Sequence, residues 1–146
     1  MREREIFIAE FWRRIASVAG VVKTARNPGD NPTTNDFPAI QFFELDDNII
    51  GSGRRGGYPI YSRNLMLTVE AFLAATSESS SSKELGAFVQ EIKKKIYAGG
   101  NNLNKTCSEI TELGCTRVLR PPVGENSVGI GLIFEVKYTE NISTIM

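Results

Sequence analysis

Between Val128 and Tyr138 the chain alternates without a break: Val128, Ile130, Leu132, Phe134, Val136 and Tyr138 are separated by Gly129, Gly131, Ile133, Glu135 and Lys137, with Thr139 next. Successive side chains of a strand leave its two sides in turn, so this segment is a strand with one apolar and one mixed face. A slip of one residue would turn the whole apolar set into water, which pins the register. A strand buried on both faces would read as apolar throughout, so the sheet is expected to be antiparallel-dominated and covered on one side only. At ~3.3 Å per residue the run is about 36 Å long, roughly twice the common strand length. Gly129 and Gly131 either admit a second backbone on the mixed face or mark a bulge or bend.

Two amphipathic helices supply the cover. From about Arg2 to Ala19, residues Ile8, Phe11, Trp12, Ile15 and Ala19 fall on one helical face, with Arg13 and Arg14 opposite and Gly20 as the stop. Trp12 reads as core packing, an interface anchor being the alternative. The second helix follows the polar linker Ser77 to Ser82, with Ser81 and Glu84 as a capping box. Its buried stripe is Leu85, Phe88, Val89, Ile92 and Ile96. Gly99-Gly100 ends it, and Lys93, Lys94 and Lys95 complement the negative end of the helix dipole on a solvated face.

The remaining strands are shorter signals. Val21 to Arg26 has β-branched content and runs into the loop Asn27-Pro28-Gly29-Asp30-Asn31-Pro32. Ala39 to Leu45 is extended and is expected to stop at the turn-forming triplet Asp46-Asp47-Asn48. The glycine-rich segment Gly51 to Gly57 then reads as the mobile tip of a long hairpin, and Ile60 to Leu73 as its return strand. Cys107 to Leu119 is a fourth strand, with Pro121-Pro122 as a break before the last. The order helix, three strands, helix, two strands describes an α+β fold: a sheet of about four to five strands, two helices packed on one face, and a long β-hairpin loop.

Composition narrows the function. The chain has 146 residues, which suits one domain spanning residues 1–146 with a radius of gyration of roughly 15 Å. It has no histidine, which excludes Ser-His-Asp and Cys-His centres and any His-ligated metal. No apolar run approaches the ~18 residues of a membrane span, so no membrane partner is expected. The N-terminus Met1-Arg2-Glu3-Arg4-Glu5 is charged and leads into an amphipathic helix, so no secretory signal and a cytoplasmic origin are expected. Cys107 and Cys115 stand too far apart along an extended segment to bridge and read as reduced thiols.

Three clusters could carry chemistry. Gly51-Ser52-Gly53-Arg54-Arg55-Gly56 has the glycine spacing of a dinucleotide loop, but Tyr58-Pro59-Ile60 and an extended run follow where a helix must begin, so no nucleotide cofactor is expected. Arg54, Arg55, Tyr58 and Arg63 could form a basic, partly aromatic patch, either solvated on the loop or in contact with protein or nucleic acid. Glu44, Asp46 and Asp47 concentrate carboxylates, with Glu44 and Asp46 on one side of a continuing strand. No further ligands follow at calcium-loop spacing, so they read as a solvated turn, with no metal and no catalytic group.

Taken in order, several features resemble the tail terminator (tail completion) proteins of long-tailed bacteriophages over nearly the whole length. They are the N-terminal helix ending in Ala19-Gly20-Val21-Val22, Arg26 before a loop, and Phe37-Pro38-Ala39-Ile40 opening a strand. Leu65-Met66-Leu67-Thr68-Val69, the helix Leu85 to Ile96 with Gly99-Gly100, and the closing Phe134-Glu135-Val136-Lys137-Tyr138 complete the set. The resemblance implies a virion protein forming a homo-oligomeric, hexameric ring on the head-proximal end of the tail tube. That ring stops tube polymerisation, meets the tail tube protein on one side and the neck or head connector on the other, and passes genome DNA through its lumen without reading its sequence. The Asp46 to Tyr58 hairpin departs from the family pattern.

Charge is distributed in a way that suits such an assembly. The 17 basic and 17 acidic residues cancel, yet residues 31–50 carry four acids and no base, while 51–73 carry three bases and one acid. A ring needs one surface to meet a different surface of the next copy, and opposite patches can set that register. The long last strand and projecting hairpin are also natural means of strand addition. A head-tail connector or neck adaptor is the alternative in the same class. From other classes come a nucleic-acid-binding module using Arg54, Arg55, Arg63 and Tyr58, and a small histidine-free enzyme using Glu44, Asp46 and Asp47.

Overall fold

The computed structural model describes residues 2–74, 78–116 and 127–142. In chain order the elements are α1 (Arg2–Ala16), β1 (Lys23–Arg26), a 3-10 turn (Thr34–Asp36), β2 (Ala39–Arg55), β3 (Tyr58–Ala74), α2 (Glu78–Ile96), β4 (Glu109–Cys115) and β5 (Ser127–Asn141). The strands form one open sheet in the order β1-β2-β3-β5-β4. Only β1 against β2 is parallel. The α+β fold with an antiparallel-dominated sheet is as the sequence implies.

Alternation in β5 sets the core. Val128, Leu132, Phe134, Val136 and Tyr138 are buried, and the last four share a cluster with Leu65, Leu67, Val69 and Ala71 of β3 and Ile40 and Phe42 of β2. Phe7, Ile8, Phe11 and Ile15 of α1 and Phe88, Val89, Ile92 and Ile96 of α2 enter the same cluster. Both helices therefore lie on one face of the sheet. Phe11 is the hub, with its ring 5.3 Å from Phe42 and 6.5 Å from Phe134 in edge-on contacts. Such pairs add roughly 0.5–1.5 kcal/mol to the burial of the rings. No helix of the described residues is long and apolar enough to cross a membrane.

The apolar face of α1 is rotated from the expected one. Arg14, expected opposite the core, is buried, whereas Trp12 is 37% exposed. The reason is the end of α2: Arg14 Nη1 donates to the carbonyls of Ile96 at 2.9 Å and Ala98 at 2.8 Å, and Arg14 Nε donates to Glu10 at 2.9 Å. Trp12 instead covers the rim, donating Nε1–H to Thr24 Oγ1 at 3.1 Å and packing edge-on to Phe42. The helix also stops at Ala16, short of the expected Ala19.

Other boundaries differ too. α2 begins at Glu78, so Ser81 lies within the helix and is not its cap. β4 begins at Glu109, because Leu103, Asn104 and Lys105 hold a left-handed turn ahead of it. The expected continuation of β4 to Leu119 and the break at Pro121-Pro122 fall outside the described residues. Neither glycine of β5 admits a second backbone. A Cβ on Gly129 would meet the Phe72 ring at 2.8 Å, and one on Gly131 would meet Thr116 Oγ1 at 3.1 Å. Side chains from β3 and from the end of β4 occupy that space. The two cysteines are free, and burial pushes the Cys107 thiol up to about 11.

Candidate functional site

The largest departure from the sequence reading is also the most prominent feature of the surface. β2 does not stop at Asp46-Asp47-Asn48. It runs to Arg55, and β3 starts at Tyr58, so the expected long loop is a continuous antiparallel ribbon closed by the two-residue turn Gly56-Gly57. Both glycines hold positive φ, +60° and +85°, as a primed hairpin turn requires at both central positions. Two bulges carry the strand through the polar stretch. Leu45 and Asp46 together face Met66, between the pairs Glu44↔Leu67 and Asp47↔Leu65, and Ile50 is the extra residue between Ile49↔Arg63 and Gly51↔Ser62.

β1 covers β2 only from Ala39 to Phe42. Beyond that point β2 continues for about 40 Å at ~3.3 Å per residue, less what the bulges take up. β3 and β5 run beside it, paired from Ile60↔Asn141 to Ala74↔Ser127. The result is a three-stranded arm.

An ionic cluster holds the root of this arm. Arg4 of α1 reaches both Glu44 Oε1 and Asp47 Oδ2 at 3.1 Å. Arg26 of β1 donates to Glu44 at 2.7 and 2.9 Å and to Glu5 at 2.9 and 2.8 Å. Asn27 Nδ2 adds a bond to Glu44 Oε2 at 2.7 Å, and the Tyr138 hydroxyl donates to Asp47 Oδ2. Arg63 donates to Glu140 at 2.8 Å, lies 3.6 Å from Asp47 Oδ1 and sits over the Tyr61 ring. The Glu44 and Asp47 side chains are only 4% and 7% exposed. Four elements thus converge on the first bulge.

Electrostatics follow from the geometry. Burial pushes the Glu44 carboxyl up, but the hydrogen bonds from Arg26, Asn27 and Arg4 outweigh it and hold it below the ordinary value. Glu5 is held low chiefly by its bond to Arg26, and Arg26 is raised in turn. Tyr138 is pushed up by burial and by donating to Asp47. Arg63, despite burial, is raised by Glu140 and Asp47.

The carboxylates named from sequence therefore do not form a solvated turn. The first bulge turns Glu44 and Asp47 toward α1 and leaves Asp46 exposed, so the expected pairing of Glu44 with Asp46 on one side is replaced by Glu44 with Asp47. Arg54, Arg55 and Tyr58 stand exposed at the tip, where Arg54 Nη1 donates to the Gly57 carbonyl at 3.1 Å. Arg63 lies down the arm in its ion pairs. Arg4, Glu5, Tyr138 and Glu140 complete the cluster and were not marked as site residues by their spacing. One signal was present: Tyr138 and Glu140 occupy the apolar parity of β5, where a polar group needs a partner. Among the described residues no three potential ligands stand together to hold a metal ion.

Large apolar side chains line the arm. Leu45, Ile49, Ile50 and Tyr58 are each more than half exposed. No family model matches the sequence, and no curated protein matches it. Among solved structures, the chain aligns with one in a structure described as "Virion of native gene transfer agent (GTA) particle". That alignment covers 90% of this chain and 93% of the other, at 9% identity and a TM-score of 0.39.

Proposed function

We propose that this chain is a nonenzymatic structural virion protein that forms a ring, of six copies by the family resemblance, on the head-proximal end of a phage tail tube. There it ends tube polymerisation and offers the joining surface for the neck or head connector, while the genome passes through the lumen. The observation that carries this reading is the arm: a paired ribbon that runs on past β1 and bears the exposed apolar side chains Leu45, Ile49, Ile50 and Tyr58. Exposed apolar area of this kind marks an interaction surface. A ribbon about 40 Å long past β1 is comparable to the width of the whole fold, taken as roughly twice a 15 Å radius of gyration with a side-chain shell. It is long enough to reach a neighbour. The ordered resemblance along the chain, from the N-terminal helix ending in Ala19-Gly20-Val21-Val22 to Tyr138, supports the specific role.

Mixing the purified protein with tail tube protein tests the proposal by negative-stain imaging. Tubes should stop growing and carry a ring at one end only. Tube length that is indifferent to an equimolar amount of this protein overturns the terminator role, and rings that bind connector but not tube would move it to the neck.

A further inference from the structure

We infer that the outer edge of β2, from Leu45 to Arg55, is a self-pairing surface, and that the partner it fits is the same edge of a second copy run antiparallel. This goes beyond the ring reading, because a two-fold contact closes on two copies whereas a ring needs unlike surfaces.

The two edges of the sheet are treated differently. On β4, the N–H of Ile110 donates to the Asn101 carbonyl at 2.7 Å and that of Glu112 to the Tyr97 hydroxyl at 3.0 Å, so its outer side is already capped. On β2, Asn27 caps the start of the edge, accepting from the Glu44 N–H at 2.9 Å and donating its own N–H to Phe42 O at 2.8 Å. Past Glu44, among the described residues, no hydrogen bond reaches the outer side of the strand. Unpaired strand edges are templates for another strand.

The charge on this edge is arranged about its own middle. β3 serves as the ruler. Gly51 faces Ser62; three residues along β3 to one side is Pro59, facing Arg54, and three to the other is Leu65, facing Asp47. Four residues away in each direction are Tyr58, facing Arg55, and Met66, facing the Leu45–Asp46 bulge. Pairing two such edges antiparallel about Gly51 therefore sets Arg55 against Asp46 twice, both on the helix-free face of the sheet. Arg54 falls against Asp47 on the other face. Arg55 and Asp46 are exposed, so they are the pair available for contact. A parallel, in-register pairing would instead set like charges side by side. At the centre, Gly51 lets the backbones approach, with Ile49 and Ile50 beside it.

The bulges sharpen the choice of partner. Bulges and charges on an edge discourage pairing with an arbitrary strand. A second copy run antiparallel brings the same bulges in mirror order and sets Asp46 and Asp47 against Arg55 and Arg54, a match that an arbitrary strand does not offer.

Charge reversal tests the contact by sedimentation across the micromolar to millimolar range. The unaltered chain should dimerise. Asp46→Arg or Arg55→Asp alone sets like charges opposite each other twice and should weaken dimerisation roughly tenfold or more. The double variant D46R/R55D should recover it, and an equal mixture of the two single variants should form a heterodimer that neither forms alone. Separately, Gly51→Cys in a chain carrying Cys107→Ser and Cys115→Ser should oxidise to a covalent dimer, since directly opposed residues of a ladder lie within disulfide reach. An unaltered chain that stays monomeric, single reversals that dimerise unchanged, or a mixture that stays monomeric each overturn the inference. A hexamer indifferent to both reversals does so too, while leaving tube capping intact.

Discussion

The guanidinium of Arg14 in α1 lies 2.9 Å from the carbonyl oxygen of Ile96 and 2.8 Å from that of Ala98, closing the C-terminal end of α2 from outside the helix. The last carbonyls of a helix have no partner within it, and a cation there also meets the negative end of the dipole. Arg14→Met keeps an apolar stem but leaves those carbonyls buried and unpaired. It is expected to cost about 2–3 kcal/mol, on the scale of hydrogen bonds to a charged group. Chemical denaturation should show a lower midpoint with an unchanged slope.

Acid should destabilise the fold through carboxylates that arginines hold low. Glu10 is lowered from an ordinary 4.5 to about 2, first by its bond to Arg13 and also by Arg14, against the opposing effect of burial. A depressed folded value means the contribution is complete above about 4.5 and is lost as pH falls toward about 2. Glu5 and Glu44 act in the same sense. Unfolding free energy measured from pH 6 downward should therefore decline through that window. Glu10→Gln should be less stable at neutral pH and show a shallower decline.

Gly129→Ala should be destabilising by about 1–3 kcal/mol, the usual cost of overpacking. Its Cβ would lie 2.8 and 2.9 Å from two Phe72 ring atoms and 3.2 Å from the Ala71 carbonyl. Phe72 is stacked on Phe37 with centroids 6.2 Å apart, which limits its retreat. Combining Gly129→Ala with Phe72→Leu should cost less than the sum of the two single changes, as thermal unfolding of all four chains would show.

At the tip, alanine at Gly56 or Gly57 would be forced to positive φ, a cost of roughly 1–2 kcal/mol at each position. Gly56→Asn should be tolerated, because Asn-Gly suits the same turn. Hydrogen exchange should locate the loss of protection in Gly51 to Ile60 and leave β5 near Phe134 unchanged.

These contrasts show which features the sequence carries openly. β5 separates water from core at every residue, so its alternation names the buried face directly. The route of β2 is hidden because Asp46, Asn48 and Gly51 are turn residues by local preference, and only pairing with β3 makes them extended. Two inserted bulge residues then shift the parity that would reveal the pairing. Arg14 is hidden for a related reason: its partner is a helix end contributed from residues 95–98, far away in the chain. The arginines and carboxylates around Glu44 come from α1, β1, β2, β3 and β5, so no local spacing announces them.

The ribbon and its root also have a mechanical meaning. Paired strands resist stretching along their length, and the Glu44–Asp47 bulge is where this ribbon leaves the support of β1 while staying tied to Arg4 and Arg26. Glu3 accepts the Asn141 N–H at 3.3 Å farther out, so a load on the arm is shared with the first turn of α1 at two levels, through Arg4 and through Glu3.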